Sequence, residues 1–130
     1  MSGGIIRVQR NIPPEIIRTV KKCLPKDKAF ASGVSLVFVS ALKMAELNRK
    51  YRGRVGATNI LTFEEGDIAL CPAVIAREAK SYGFTQKNWM TRLMVHGILH
   101  IIGYEHSAGM ERLEEKIFGE LGLEILSTKF

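Results

Sequence analysis

The chain has 130 residues, enough for one hydrophobic core and too few for two ordinary domains. Hydrophobic residues make up 46% and charged residues 25%, which excludes a disordered, collagenous or low-complexity chain. The formal net charge of +6 is unevenly placed: residues 1–65 hold 12 Lys+Arg against 5 Asp+Glu, and residues 66–130 hold 7 against 8.

In chain order, a short strand around Ile5 and Val8 precedes Asn11. Pro13 and Pro14 suit a helix start, and Ile16, Ile17, Val20 and Leu24 follow at helical spacing until Pro25-Lys26-Asp27-Lys28 closes the segment with a turn. Val34, Leu36 and Phe38 alternate with Ser35, Val37 and Val39, so this strand is apolar on nearly both faces and should be mostly buried. Ser40 can cap a helix running through Leu42, Ala45, Leu47 and Tyr51, after which residues 53–56 form a loop. Residues 59–63 and 67–70 read as two strands joined by Glu64-Glu65-Gly66. Pro72 opens a helix that ends near Gly83, and Thr85 caps a long helix that Gly103 stops after about Ile102. A last amphipathic helix carries Met110, Leu113, Ile117, Phe118 and Leu121. Strands cluster before residue 72 and helices after it. That order predicts an α+β fold: one domain over residues 1–130, a small mixed sheet of about four strands, and about five helices.

No uncharged apolar run reaches the ~18 residues of a membrane span. The first residues lack a basic segment followed by a long apolar one, so neither a signal peptide nor a membrane partner is expected. Two cysteines, Cys23 and Cys71, give no disulfide framework, and the expected compartment is the cytoplasm.

Lys43, Arg49, Lys50, Arg52 and Arg54 fall within twelve residues, with Glu46 the one acid among them. Such a face attracts polyanions, nucleic acid foremost, although a solvated basic face without a partner reads the same way.

All three histidines lie between positions 96 and 106. His96 and His100 are four apart on the long helix, so their side chains share one face at a separation that one metal ion can bridge. Gly103 can end the helix in a left-handed conformation and let the reversed chain bring His106 over the first two. Three imidazoles with an open fourth position describe a catalytic rather than a closed structural site. The surrounding helix is apolar nearly all round, with Asn88, Arg92, His96 and His100 as its one polar ladder. One divalent ion is expected, Zn2+ first, although three imidazoles also suit nickel, copper or iron. The spacing H-x-x-x-H-x-x-G-x-x-H is that of metzincin proteases, but Gly97 stands where those carry the Glu general base, so peptide hydrolysis is not expected.

Residues 96–106 resemble the H-G-x-L-H-x-x-G-Y-D-H signature of the YbeY family of bacterial rRNA maturation factors and single-strand endoribonucleases. Leu47-Asn48-Arg49-Lys50-Tyr51-Arg52-Gly53 resembles the family's L-N-x-x-Y-R-G stretch. Thr58-Asn59-Ile60-Leu61-Thr62-Phe63 resembles its T-[DN]-V-L-S-F strand, and Gly66-Asp67-Ile68 its G-D-[IVL] start of the next. The blocks keep the family's order and spacing from about residue 32 to the last helix.

The resemblance implies a compact α+β fold with His96, His100 and His106 as metal ligands and Arg52 as the family's functional arginine. It also implies action on RNA, in 16S rRNA 3′-end maturation and ribosome quality control, with ribosomal proteins as further partners. Lys43, Arg49, Lys50 and Arg54 would then follow the RNA backbone around Arg52. The chain departs from the pattern at Glu105, where the family has Asp, and at residues 54–57, where the family has a K-D-x-P loop. The first thirty residues share little with the family pattern, and a C-terminal tail found in many relatives is not expected.

For a general base, chain proximity offers Glu64, Glu65, Asp67 and Glu105. Tyr104 suits either a donor to substrate or packing. Trp89, Phe63 and Phe38 occupy apolar positions and read as core rather than as base-stacking platforms. Two other classes stay open: a metal hydrolase acting on a non-nucleic substrate, and a ribosome-associated RNA-binding factor with a structural metal.

Overall fold

Nine elements follow one another along the chain: β1 (Arg7–Asn11), α1 (Pro14–Cys23), β2 (Ser35–Val39), α2 (Ala41–Arg52), β3 (Ile60–Thr62), β4 (Asp67–Leu70), α3 (Pro72–Tyr82), α4 (Gln86–Ile102) and α5 (Ala108–Glu120). The computed structural model describes residues 7–25, 34–63 and 66–123. Ile5, residues 26–28 of the expected turn, and Glu64 and Glu65 lie outside them.

Local chemistry accounts for the helix starts. The hydroxyls of Ser40, Thr85 and Ser107 accept hydrogen bonds from the backbone N–H groups of Lys43, Asn88 and Met110 at 3.0–3.1 Å. Pro14 and Pro72 open α1 and α3, where a missing N–H costs nothing.

The strands form one mixed sheet in the order β1-β2-β4-β3. β1 and β2 run antiparallel, β2 and β4 parallel with Leu36 beside Ile68, and β3 and β4 antiparallel with Thr62 beside Ile68. A parallel neighbour requires a long crossover, and here α2 and β3 lie within it. β3 is shorter than residues 59–63. Even so, the Phe63 N–H donates to the Asp67 carbonyl and the Cys71 N–H to the Asn59 carbonyl, which extends the hairpin beyond the strand proper.

Strand alternation sorts the core into two layers. Leu36, Ile68 and Leu70 face one side, where they pack with Ile16 and Val20 of α1, Ile98 and Leu99 of α4, and Met110 and Ile117 of α5. Val37, Val39, Leu61 and Ala69 face the other, against Met44 of α2 and Val74 of α3. Cys23 and Cys71 are buried and unpaired, one in each layer. Among the described residues no helix is long and apolar enough to cross a membrane. The sheet thus fixes α4 on one face and α2 on the other, and the C-terminal end of α2 and the middle of α4 meet at the β3 edge.

Candidate metal centre

The middle of α4 is tied into the core. Val95, Ile98 and Leu99 are fully buried, and His96 and His100 project between them toward β3. Gly97 lets the helix lie close to the sheet. A Cβ there would stand 2.9 Å from Ile60 Cδ1 and 3.2 Å from both Ile68 Cδ1 and Thr62 Cγ2. The absence of a protease-type glutamate at this position therefore has a steric reason as well as a chemical one.

Gly103 ends α4 at φ 120°, a region open to glycine, and its N–H caps the Leu99 and His100 carbonyls at 3.1 Å. The chain reverses there and returns His106 over the helix. The three imidazole centroids lie 4.4, 4.6 and 5.0 Å apart, and one nitrogen of each ring lies within 4.8 Å of the others. The sequence placed these three residues together, and the structure does so.

The outward nitrogens are held. His96 Nδ1 donates to Glu114 Oε2 at 2.7 Å, and His100 Nδ1 donates to the Tyr104 carbonyl at 2.9 Å. A carboxylate and a carbonyl only accept, so the ring proton sits on Nδ1 in both residues and Nε2 carries a lone pair. Those two Nε2 atoms face each other at 3.0 Å. Two lone pairs at that distance repel unless a cation lies between them. Burial pushes the His100 pKa below its ordinary 6.5, and His96 and His106 push the same way against the Tyr104 carbonyl and Glu114. A proton on His100 is therefore disfavoured, and three imidazole nitrogens within 4.8 Å of one another suit a divalent ion. The residues fit such an ion by their donor set and by the partners that orient it.

The histidines line a cleft of about 1060 Å³. Ile60, Leu61 and Thr62 of β3 form one wall, with Phe63 beyond them, and Tyr51 and Arg52 close it from the end of α2. Arg52 is thus brought to the histidines. Lys43 and Lys50 line a neighbouring cleft, while Arg49 and Arg54 are exposed on the last turn of α2 and the loop after it. That loop is tied down by Asn48: its Nδ2 donates to the Gly56 carbonyl at 2.8 Å, and its backbone carbonyl accepts from the Arg54 N–H at 3.3 Å.

Several features lie beyond the sequence reading. Glu114 is the carboxylate that meets the site, whereas Glu105 is exposed and Asp67 accepts from the Ser35 hydroxyl at 2.7 Å in the other cleft. The signal for Glu114 was its place at core spacing, between Met110 and Ile117. Phe63, which reads as core, is half-buried against the second layer and faces both clefts, edge-on to Tyr51 at 5.2 Å. Phe38 packs against the first core layer. Trp89 packs against it too and donates from Nε1 to Glu78 Oε1 at 2.9 Å.

The profile of the family described as Endoribonuclease YbeY matches residues 7–127. The chain belongs to the YbeY family. The YbeY match begins well before the motif blocks, so the first strand and helix belong to it although they share no signature. The Endoribonuclease YbeY of Thermodesulfovibrio yellowstonii is 35% identical over 121 residues, spanning 80% of this chain and 76% of that one. The Endoribonuclease YbeY of Coxiella burnetii is 34% identical over 109 residues, 72% of each chain. The solution structure of TM1509 from Thermotoga maritima is similar with a TM-score of 0.55 and 29% identity, over 83% of this chain and 79% of that one.

Proposed function

We propose that this YbeY protein is a metal-dependent endoribonuclease that cleaves single-stranded RNA. In this reading it acts as one cytoplasmic domain in 16S rRNA 3′-end maturation and ribosome quality control. The observation that carries the reading is the meeting of His96 Nε2 and His100 Nε2 at 3.0 Å beside His106, with both Nδ1 atoms turned outward onto Glu114 and the Tyr104 carbonyl. His96, His100 and His106 would hold the ion, Zn2+ first. A divalent ion there supplies Lewis acidity toward a phosphoryl oxygen and toward water.

The remaining tasks fall to the protein. Glu114 is held on the outward nitrogen of His96, and Arg52 is a cation on the lining of the cleft itself. The Arg52 guanidinium, with forked donors, binds non-bridging oxygens of that group, which a lysine would imitate poorly. Tyr51 and Phe63 offer aromatic surface beside it for unstacked bases. The exposed cations Arg49 and Arg54 draw in the strand, and single-strand selectivity follows from a cleft whose aromatic wall needs splayed bases.

The test is a paired measurement on the wild type and His100→Ala: bound metal by elemental analysis, and cleavage of a single-stranded RNA at moderate salt. Stoichiometric metal with cleavage, both lost in a folded variant, is the expected result. Metal without cleavage would shift the reading to an RNA-binding factor with a structural ion. Metal and hydrolysis of small esters without RNA cleavage would shift it to a non-nucleic substrate. A folded wild type that takes up no metal would overturn it.

A further inference from the structure

Beside the histidine cleft lies a second one of about 390 Å³, within the roughly 300–1,000 Å³ of small-molecule sites. It opens between α2 and the opposite face of the sheet. Its floor is apolar, from Val37 and Val39 of β2 and Ala69 of β4. Tyr51 and Phe63 are common to both clefts, so their edge-on pair is a partition rather than an end wall. The rim is charged. Lys43 and Lys50, about two turns apart on α2, line it, and Lys50 Nζ lies 5.3 Å from the centre of the Tyr51 ring.

Glu46 lines the same cleft and is the one acid between Lys43 and Arg54. Asp67, the other carboxylate there, is engaged by the Ser35 hydroxyl. Among the described residues Glu46 has no such partner, which leaves both its oxygens as acceptors inside a cleft with an apolar floor and two lysines in its lining. A base, its sugar and its phosphate present the complementary chemistry in the complementary order: a flat face for the aromatic pair and the valines, amino N–H groups for a carboxylate, and an anion for two lysines.

We infer that this cleft is a nucleotide subsite, which holds one base of single-stranded RNA next to the cleaved phosphodiester and favours bases with an exocyclic amino group through Glu46. The inference rests on the endoribonuclease reading for its RNA ligand. It adds a second contact point, on the far side of the Tyr51–Phe63 partition, and a chemical preference. Lys43 and Lys50 bind that nucleotide's phosphate, whereas Arg52 on the near side binds the phosphodiester that reacts.

Methyl NMR on the full chain, with chelator present so that cleavage plays no part, tests this with CMP, AMP, GMP and UMP as probes. The Val37, Val39 and Leu47 methyl signals should move with all four nucleotides, and at about tenfold lower concentration with the three that carry an amino group than with UMP. Lys50→Ala should weaken all four. Glu46→Ala should weaken CMP, AMP and GMP about tenfold and leave UMP nearly unchanged, the size expected for loss of a hydrogen bond to a charged group. Both residues are at least partly exposed, so the variants keep the fold, and unchanged signals from Leu36 and Ile98 confirm it.

Shifts confined to Ile60 and Thr62, in the histidine cleft, would overturn the subsite, as would equal weakening of all four nucleotides by Glu46→Ala. Cleavage of RNA by the metal-loaded wild type is scored separately. An enzyme that cleaves while its Val37 and Val39 signals ignore every nucleotide keeps the nuclease reading and loses the subsite. Movement of those signals without cleavage does the reverse.

Discussion

Glu114 does for His96 what the Tyr104 carbonyl does for His100: each fixes the ring proton on Nδ1 and leaves Nε2 bare. Partners of this kind commonly govern metal affinity by 10–100-fold. Glu114→Ala is therefore expected to weaken metal binding by roughly that factor, read by chelator competition. Glu105→Ala, at an exposed position next to His106, should leave affinity near the wild-type value. Gly97 is the other residue whose identity is dictated locally. Gly97→Glu would drive a Cβ into Ile60, Ile68 and Thr62 and bury a charge without a partner. It should destabilise the fold by about 1–3 kcal/mol in denaturant unfolding, without creating peptidase activity.

At the scale of elements, the loop after α2 depends on one amide. Asn48 is buried, its Nδ2 holds the Gly56 carbonyl, and among the described residues its Oδ1 has no partner. Asn48→Ala should cost about 1–2 kcal/mol in thermal or denaturant unfolding. It should also lower RNA cleavage, because the segment released carries Arg54 and adjoins Arg52. Element boundaries were largely legible in the sequence because local chemistry sets them: Ser40 and Thr85 cap by their own hydroxyls, Pro14 and Pro72 sit where helices begin, and Gly103 ends α4. The histidine triad was legible for the same reason, its geometry following from one helix and one turn. Glu114 and the cleft-facing side of Phe63 were not. Spacing between Met110 and Ile117 turns Glu114 inward, but its meeting with His96, like the exposure of Phe63 to the clefts, depends on how α5 and the end of α2 seat against other elements.

For the whole molecule, charge and proton balance set the working range. The basic half of the sequence supplies the cations that surround the two clefts, so RNA binding should weaken steeply with salt. Lys50→Ala should lower the slope of log K against log salt by about 0.7, the value for one single-strand phosphate contact. In the metal-free protein, His100 titrates below its ordinary 6.5, so the unfolded chain takes up this proton first as the pH falls. Its contribution to stability is complete above 6.5 and is lost between there and the lower folded value. Thermal midpoints measured with chelator should fall over that window, and His100→Gln should flatten the dependence.

His96 and His100 share their helix with Val95, Ile98 and Leu99, which are fully buried in the main core. A substitution that repacks those three side chains therefore moves the imidazoles too, even if it never touches the cleft. Selection for a different metal and selection for a different growth temperature would act on the same few positions.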